Sequence, residues 1–325
     1  MKKNNKIAVF GGGLWGTVLA QHLARKDRPV VLWEFVSEAA DSLHKTRRHP
    51  HIPGFRLGEN VLVTSGLKEA AAGADVLLFV LPSAFVRSTA RALKGLVKPR
   101  TVAVNASKGI EPKTLMTMGE VISDELPRLS AVYTLSGPSF AREVAKGVPT
   151  RMVLAGPRKG AEDLRRLFDH GALRVQWSQD RKGVELGGSL KNVLAIGCGL
   201  LDGLKAGSNT KAALIVQGMA EMDRLIVRCG GKAETVFGLA GLGDLIATGT
   251  SPESRNRAFG EKVGAGLTAK AAMREIPTVV EGVEAAGSAH ALAGRARLAC
   301  PLIDAVWGVA HAGRPARGVL KALGF

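Results

Sequence analysis

Cysteine is scarce in this chain: three residues in 325, Cys198, Cys229 and Cys300, odd in number and in no CxxC pair. That pattern excludes a disulfide framework and a thiolate metal site, and it fits reduced thiols in a cytoplasmic protein. Aromatic residues are also few, 5% with a single tyrosine, so no ladder of rings is available to stack nucleic-acid bases. Nowhere do apolar residues run for the roughly 18 positions that a membrane-spanning helix needs. At the N-terminus Lys2, Lys3 and Lys6 precede Ile7 to Phe10, but that apolar run is too short for a secretion signal and glycines interrupt it at once. His49 and His51 share an RRHPHIPG segment without a carboxylate or thiolate in ligand spacing, so no metal is expected.

Acidic residues are in deficit. Against 28 Asp and Glu stand 45 Lys and Arg, for a formal charge of +17 and a pI near 10.2. A basic surface attracts polyanions, which raises a nucleic-acid or anionic-membrane binder as one class of function. The cations are dispersed, however, in pairs such as Arg47 and Arg48, Arg165 and Arg166, or Arg295 and Arg297. A solvated surface that draws in anionic metabolites accounts for them better than a specific nucleic-acid partner does.

A chain of this length has room for two domains. Up to about Trp177, short β-branched runs alternate with Ala-, Leu- and Arg-rich stretches, the pattern of parallel strands joined by crossover helices. Strands are expected at Ile7 to Phe10, Val30 to Glu34, Val61 to Thr64, Val76 to Leu81, Val102 to Asn105, Tyr133 to Ser136, Met152 to Ala155 and Leu173 to Trp177. Beyond about Asp180 the segments Val184 to Lys205, Lys211 to Cys229 and Val283 to Arg295 have helical character. The reading is an α/β chain: a Rossmann-like, mostly parallel sheet domain over 1–180, followed by an all-α domain over 181–325. Gly187, Gly188, Gly197 and Gly199 weaken one predicted helix, since an interior glycine costs roughly 1 kcal/mol relative to alanine. Close approach of backbone or ligand would explain them.

After Lys6 to Phe10 come Gly11, Gly12, Gly13, Leu14, Trp15 and Gly16, and Thr17 to Arg25 then has helical spacing. This is GxGxxG between a strand and a helix. Gly11 suits the tight turn, Gly13 lets backbone approach a pyrophosphate, and Gly16 lets the helix pack on the sheet, while the helix N-terminus offers unpaired amides. Glu34 falls about 20 residues on, where a carboxylate accepts hydrogen bonds from a ribose and repels a 2′-phosphate. The cofactor expected is therefore NAD or NADP, with NAD favoured by Glu34. His51, in the segment after the ribose strand, is a further candidate neighbour of the cofactor.

Later motifs are more specific. Asn105-Ala-Ser-Lys-Gly109, Ser136-Gly-Pro-Ser-Phe-Ala-Arg-Glu-Val144, Gly183-Val-Glu-Leu-Gly-Gly-Ser-Leu-Lys-Asn-Val193, Asn209-Thr-Lys-Ala-Ala-Leu214, Gly238-Leu-Ala-Gly-Leu-Gly-Asp-Leu245, Ser254-Arg-Asn-Arg257 and Val279-Val-Glu-Gly282 follow one another across nearly the whole chain. In identity and order they resemble the motifs of the NAD(P)-dependent glycerol-3-phosphate dehydrogenase family of bacterial type. Gln217 departs from that pattern, since many relatives have Arg there, and Lys205-Ala-Gly-Ser208 replaces a more glycine-rich, acidic turn.

The resemblance implies hydride transfer between dihydroxyacetone phosphate and sn-glycerol 3-phosphate, supplying phospholipid synthesis, and a homodimer. It makes Lys191 the acid/base, with Lys108 polarising or positioning the substrate oxygen and Asp244 and Thr248 beside them. A lysine suits this work once burial and nearby cations lower its pKa, whereas an exposed lysine stays protonated. Gly137, Ser139, Ser254, Arg255 and Asn256 are expected to line the substrate together with Lys108, Lys191 and Asp244, the guanidinium offering a planar fork to the phosphate. Leu14, Trp15, Lys108, Ala141, Arg255, Val279 and Glu281 are implied near the cofactor. The competing enzyme reading is a related lysine-dependent β-hydroxyacid or sugar-acid dehydrogenase.

Overall fold

The computed structural model describes residues 5–24, 28–276 and 279–325. Lys2, Lys3 and Arg25, named above, lie outside them. Two compact units emerge, one formed by Met1–Ser107 and Met118–Arg181, the other by Lys108–Thr117 and Lys182–Phe325.

The first unit is built on an eight-stranded sheet: β1 (Ile7–Phe10), β2 (Val30–Trp33), β3 (Val61–Thr64), β4 (Val76–Phe79), β5 (Val102–Asn105), β6 (Ala131–Ser136), β7 (Thr150–Ala155) and β8 (Leu173–Ser178). Their order is β3-β2-β1-β4-β5-β6-β7-β8, parallel except for the antiparallel pair β6 and β7. Every residue of β1, β2 and β4 is buried. That is why these strands read as continuous apolar runs, because helices cover both faces of a parallel sheet. Glu34 and Leu81, expected inside strands, lie just beyond their ends, and β6 and β7 each begin two residues early. The chain leaves β1 for β2 and β3 on one side and returns to β4 on the other. The loop after β1 thus sits at the reversal of strand order, where such sheets bind ligands.

The second unit is helical. Its central helix, Arg181–Gly203, is buried at every position from Gly183 to Leu201. It is long and apolar enough to cross a bilayer even though charged residues and glycines interrupt its apolar run, yet it is packed inside protein all round. Glycines let a second helix, Arg255–Gly264, approach it backbone to backbone. A Cβ on Gly199 would overlap the Arg257 carbonyl and one on Gly203 that of Glu261; from the other side, Gly260 would meet Ile196 and Gly264 would meet Leu200. Of the four glycines expected to permit close approach, Gly199 does so against backbone, whereas a Cβ on Gly187 would stand an ordinary 3.5 Å from Gly241.

Charge locks this arrangement. Asp202 pairs with Lys211 and, at 2.7 Å, with Arg257, so two of the motif cations hold helices together. Gln217, which stands where an arginine was expected, donates from Nε2 to the Ala322 carbonyl at 2.8 Å and ties the helix Gly207–Arg228 to the C-terminal helix without a salt bridge.

Candidate active site

In the first unit the glycine loop is shaped for a close-approaching ligand. Gly11 has φ of +116° and the Val80 carbonyl occupies the place of a Cβ; a Cβ on Gly16 would overlap the Gly11 carbonyl. Gly13 is exposed, with open space where its side chain would be. It precedes the helix Leu14–Leu23, whose N-terminus has no side-chain cap. First-turn amides without an intrahelical partner, next to open space, form a cradle for phosphate oxygens, and this fits the dinucleotide read from the motif. Leu14 and Trp15 flank it, half-buried.

Glu34 braces this loop. Its Oε2 accepts from the Gly12 amide at 2.9 Å and its Oε1 from the Val36 amide at 3.0 Å. Of the two histidines, His49 is the one set against the loop: it is half-buried, its pKa lowered by burial and then by the charge of His51, with the Gly12 backbone opposing that shift. His51, the histidine singled out from sequence, is exposed, and its own amide points to His49 Nδ1. Their two-residue spacing held no signal to choose between them.

At the end of β6, Gly137 has φ of +134° and its carbonyl accepts from Ser139 Oγ at 3.1 Å, a turn that leads into the short helix starting at Ala141. At the end of β5, Asn105 closes a buried turn, its Oδ1 accepting from the Ser107 amide and its Nδ2 donating to the Ser107 carbonyl, both at 3.0 Å. Lys108 follows directly.

Within the second unit Lys108, Lys191, Asp244 and Thr248 come together. The buried Asp244 carboxylate meets Lys108 Nζ at 2.5 Å through Oδ2 and Lys191 Nζ at 3.0 Å through Oδ1. Lys191 also donates to Thr248 Oγ1 at 3.4 Å, and that hydroxyl donates to the Asp244 carbonyl at 2.6 Å. Asp244 opens its helix and Thr248 lies one turn on, which puts both on one face. Burial drives the pKa of Lys191 down to about 8; Asp244 opposes that shift and the Lys108 cation adds to it.

Lys108 is held by a strap, residues 108–117, pinned to this unit at three points. Thr117 Oγ1 donates to the buried Glu185 at 2.5 Å, Ser288 Oγ to the Ile110 carbonyl at 2.8 Å, and Arg295 Nη1 to the Thr114 carbonyl at 3.1 Å. None of these anchors was visible in sequence, since each joins positions at least 68 residues apart.

Around the lysines, Ser254 caps the helix Arg255–Gly264 by accepting from the Arg257 amide at 3.2 Å. Arg255 is exposed in the first turn. Asn256 is buried and engaged at both ends: Nδ2 donates to Asn192 Oδ1 at 2.8 Å, and Oδ1 accepts from the Gly282 amide at 2.9 Å. It therefore holds the start of this helix to the residue after Lys191 and to the residue after Glu281. Glu281 is half-buried; burial raises its carboxyl pKa, while Arg255, Lys108 and Lys191 pull it down. Its electrostatic link to both lysines was not anticipated, and Val279, two residues earlier, is exposed.

Residues 6–161 match the family model described as NAD-dependent glycerol-3-phosphate dehydrogenase N-terminus, and residues 180–321 match the corresponding C-terminus. The chain is 44% identical to a glycerol-3-phosphate dehydrogenase [NAD(P)+] of Geobacter sulfurreducens, covering 98% of this chain and 97% of the relative. It is 45% identical to one of Geobacter metallireducens, over 98% and 96% of the two chains. Among solved structures, a glycerol-3-phosphate dehydrogenase from Coxiella burnetii superimposes with a TM-score of 0.94 at 37% identity, covering 98% of this chain and 99% of that one.

Proposed function

The chain belongs to the NAD-dependent glycerol-3-phosphate dehydrogenase family, and from that premise we propose that it interconverts dihydroxyacetone phosphate and sn-glycerol 3-phosphate with NAD or NADP as hydride carrier. The observation that carries this reading is one buried carboxylate, Asp244, shared by two lysines, one of which burial lowers to a pKa of about 8. When bound, the nicotinamide supplies or accepts the hydride. Lys191 gives a proton to the oxygen that becomes the hydroxyl in reduction and takes it back in oxidation. Lys108, paired to Oδ2 of the same carboxylate, places a cation toward the substrate carbonyl and draws charge onto its oxygen. Thr248 and Asp244 keep the Lys191 ammonium aimed. Gly137 and Ser139 line the substrate, and Ala141, Val279 and Glu281 lie near the cofactor. The product feeds phospholipid synthesis in the cytoplasm, and the working form is a homodimer.

The sign of the pH dependence follows from Lys191. Oxidation needs its neutral form and so rises as pH increases through about 8; reduction needs the ammonium and falls over the same window. Stability should rise between about 8 and the ordinary lysine value of 10.5, because over that range the unfolded chain binds the proton that the folded chain has released.

Arg255 anchors the substrate phosphate. Its guanidinium stands in the first turn of a helix, where an anion also meets the helix dipole. Arg255→Ala removes a charge-assisted contact worth roughly 1.5–3 kcal/mol, so the KM for dihydroxyacetone phosphate should rise about 10- to 100-fold. Steady-state kinetics check this; an unchanged KM returns Arg255 to the status of a surface cation.

Glu34 directs the choice of cofactor toward NADH. Glu34→Gln keeps the length and the acceptor that braces Gly12 while deleting the charge that repels a 2′-phosphate. The ratio of kcat/KM for NADH to that for NADPH should fall in the variant. A strong NADPH preference in both proteins would assign the choice to another group.

A further inference from the structure

Arg295, which pins the strap at Thr114, also lines an open cavity of about 270 Å³ at the surface of the second unit, where it and Arg228 are both exposed. Its lining brings Lys182, Arg228 and Arg295 together with Leu186, Leu292 and Cys229, and includes no carboxylate. The three cations come from different helices: Lys182 from the start of Arg181–Gly203, Arg228 from the last turn of Gly207–Arg228, and Arg295 from the last turn of Glu281–Ala296.

A cation in a last helical turn is unremarkable taken singly, since it meets the negative end of the helix dipole. Arg228 does so, its Nε donating to the Ala296 carbonyl at 3.4 Å. Convergence is what the dipoles leave unexplained. A guanidinium carries five N–H donors, and Arg228 and Arg295 direct theirs only to main-chain oxygens; neither pairs with a carboxylate among the described residues. Arg174 and Arg224 also bond to main-chain carbonyls, but neither lines this cavity with a second guanidinium. Repulsion between Arg228 and Arg295 across the cavity is relieved by a bound anion, and two guanidinium forks suit the oxygens of a phosphate.

We infer that this cavity binds a small phosphomonoester, its phosphate held by Arg228 and Arg295 and its carbon stem resting on Leu186 and Leu292. The site is separate from the one that turns substrate over, because Lys108, Lys191, Asp244 and Arg255 are all absent from its lining.

Cys229 provides a reporter. It is half-buried in the cavity wall, whereas Cys198 and Cys300 are wholly buried. In the folded protein 5,5′-dithiobis(2-nitrobenzoate) should therefore react first with Cys229, releasing one thionitrobenzoate per chain. Inorganic phosphate, added at constant ionic strength against chloride, should slow that reaction at least fivefold in a saturable manner. R255A, which lacks the substrate anchor, should keep this protection, and the double variant R228Q/R295Q should lose it. A labelling rate independent of phosphate in the unmutated protein, or equal protection in R228Q/R295Q, overturns the proposal. Calorimetric titration with phosphate reads the same site without the thiol. R255A should retain a binding event that disappears when R228Q and R295Q are added, and its persistence in the triple variant also counts against the site.

Discussion

Lys191→Met should lower kcat by about 10²- to 10⁴-fold in both directions while leaving NADH affinity nearly unchanged. The range is what a positioned general acid or base contributes. Methionine keeps approximate length and apolar volume, so the core around position 191 stays filled, and it removes both a buried charge and the transferable proton. The pH profile carries the sharper test. The unmutated enzyme should show an inflection near 8, where burial and Lys108 set the lysine, and residual activity of the variant should lack it. Circular dichroism and a thermal melt must first show a folded protein, since the substitution also leaves Asp244 with one lysine instead of two. A folded variant with near-normal kcat across pH would transfer the acid/base role to Lys108.

Asp244→Asn should produce the second large loss, about tenfold or more in kcat, by a different route. Asp244 does not exchange a proton with substrate in this account; it holds two cations within 2.5 and 3.0 Å of one carboxylate. Asparagine retains the shape and removes the charge. Asp244 is the main influence raising the Lys191 pKa against burial, so its neutralisation should move the inflection below 8, and the oxidation profile should shift toward acid. Breaking a buried ion pair costs about 3–5 kcal/mol, and release of a proton from Lys191 relieves part of that, so destabilisation of about 3 kcal/mol is expected. Loss of activity with an unmoved inflection would mean that Asp244 acts only through structure.

The sheet was legible because its central strands β1, β2 and β4 are buried on both faces and therefore read as unbroken apolar runs; all eight expected strands are present, with ends displaced by at most two residues. The glycine loop was legible for a local reason, since turn, cradle and helix start lie within six residues. What sequence did not reveal is long-range. Residues 108–117 fall within the sheet domain expected over 1–180 but belong by contact to the helical unit, because Glu185, Ser288 and Arg295 hold them there. Gly260 and Gly264 passed unnoticed because a small residue on one helix has meaning only against the helix it faces. The bonds by which Asn256 ties Asn192 to Gly282 were likewise invisible in sequence. That His49 is the histidine affected by the Gly12 backbone was equally hidden in sequence.

The central claim is the reaction itself, and it is tested most directly by following nicotinamide absorbance with dihydroxyacetone phosphate and each reduced cofactor in turn. The account predicts oxidation of NADH, or of NADH and NADPH, strictly dependent on dihydroxyacetone phosphate, with one glycerol 3-phosphate formed per cofactor consumed. No loss of absorbance with either cofactor, or turnover only with a phosphate-free hydroxyacid or its keto form, would contradict it.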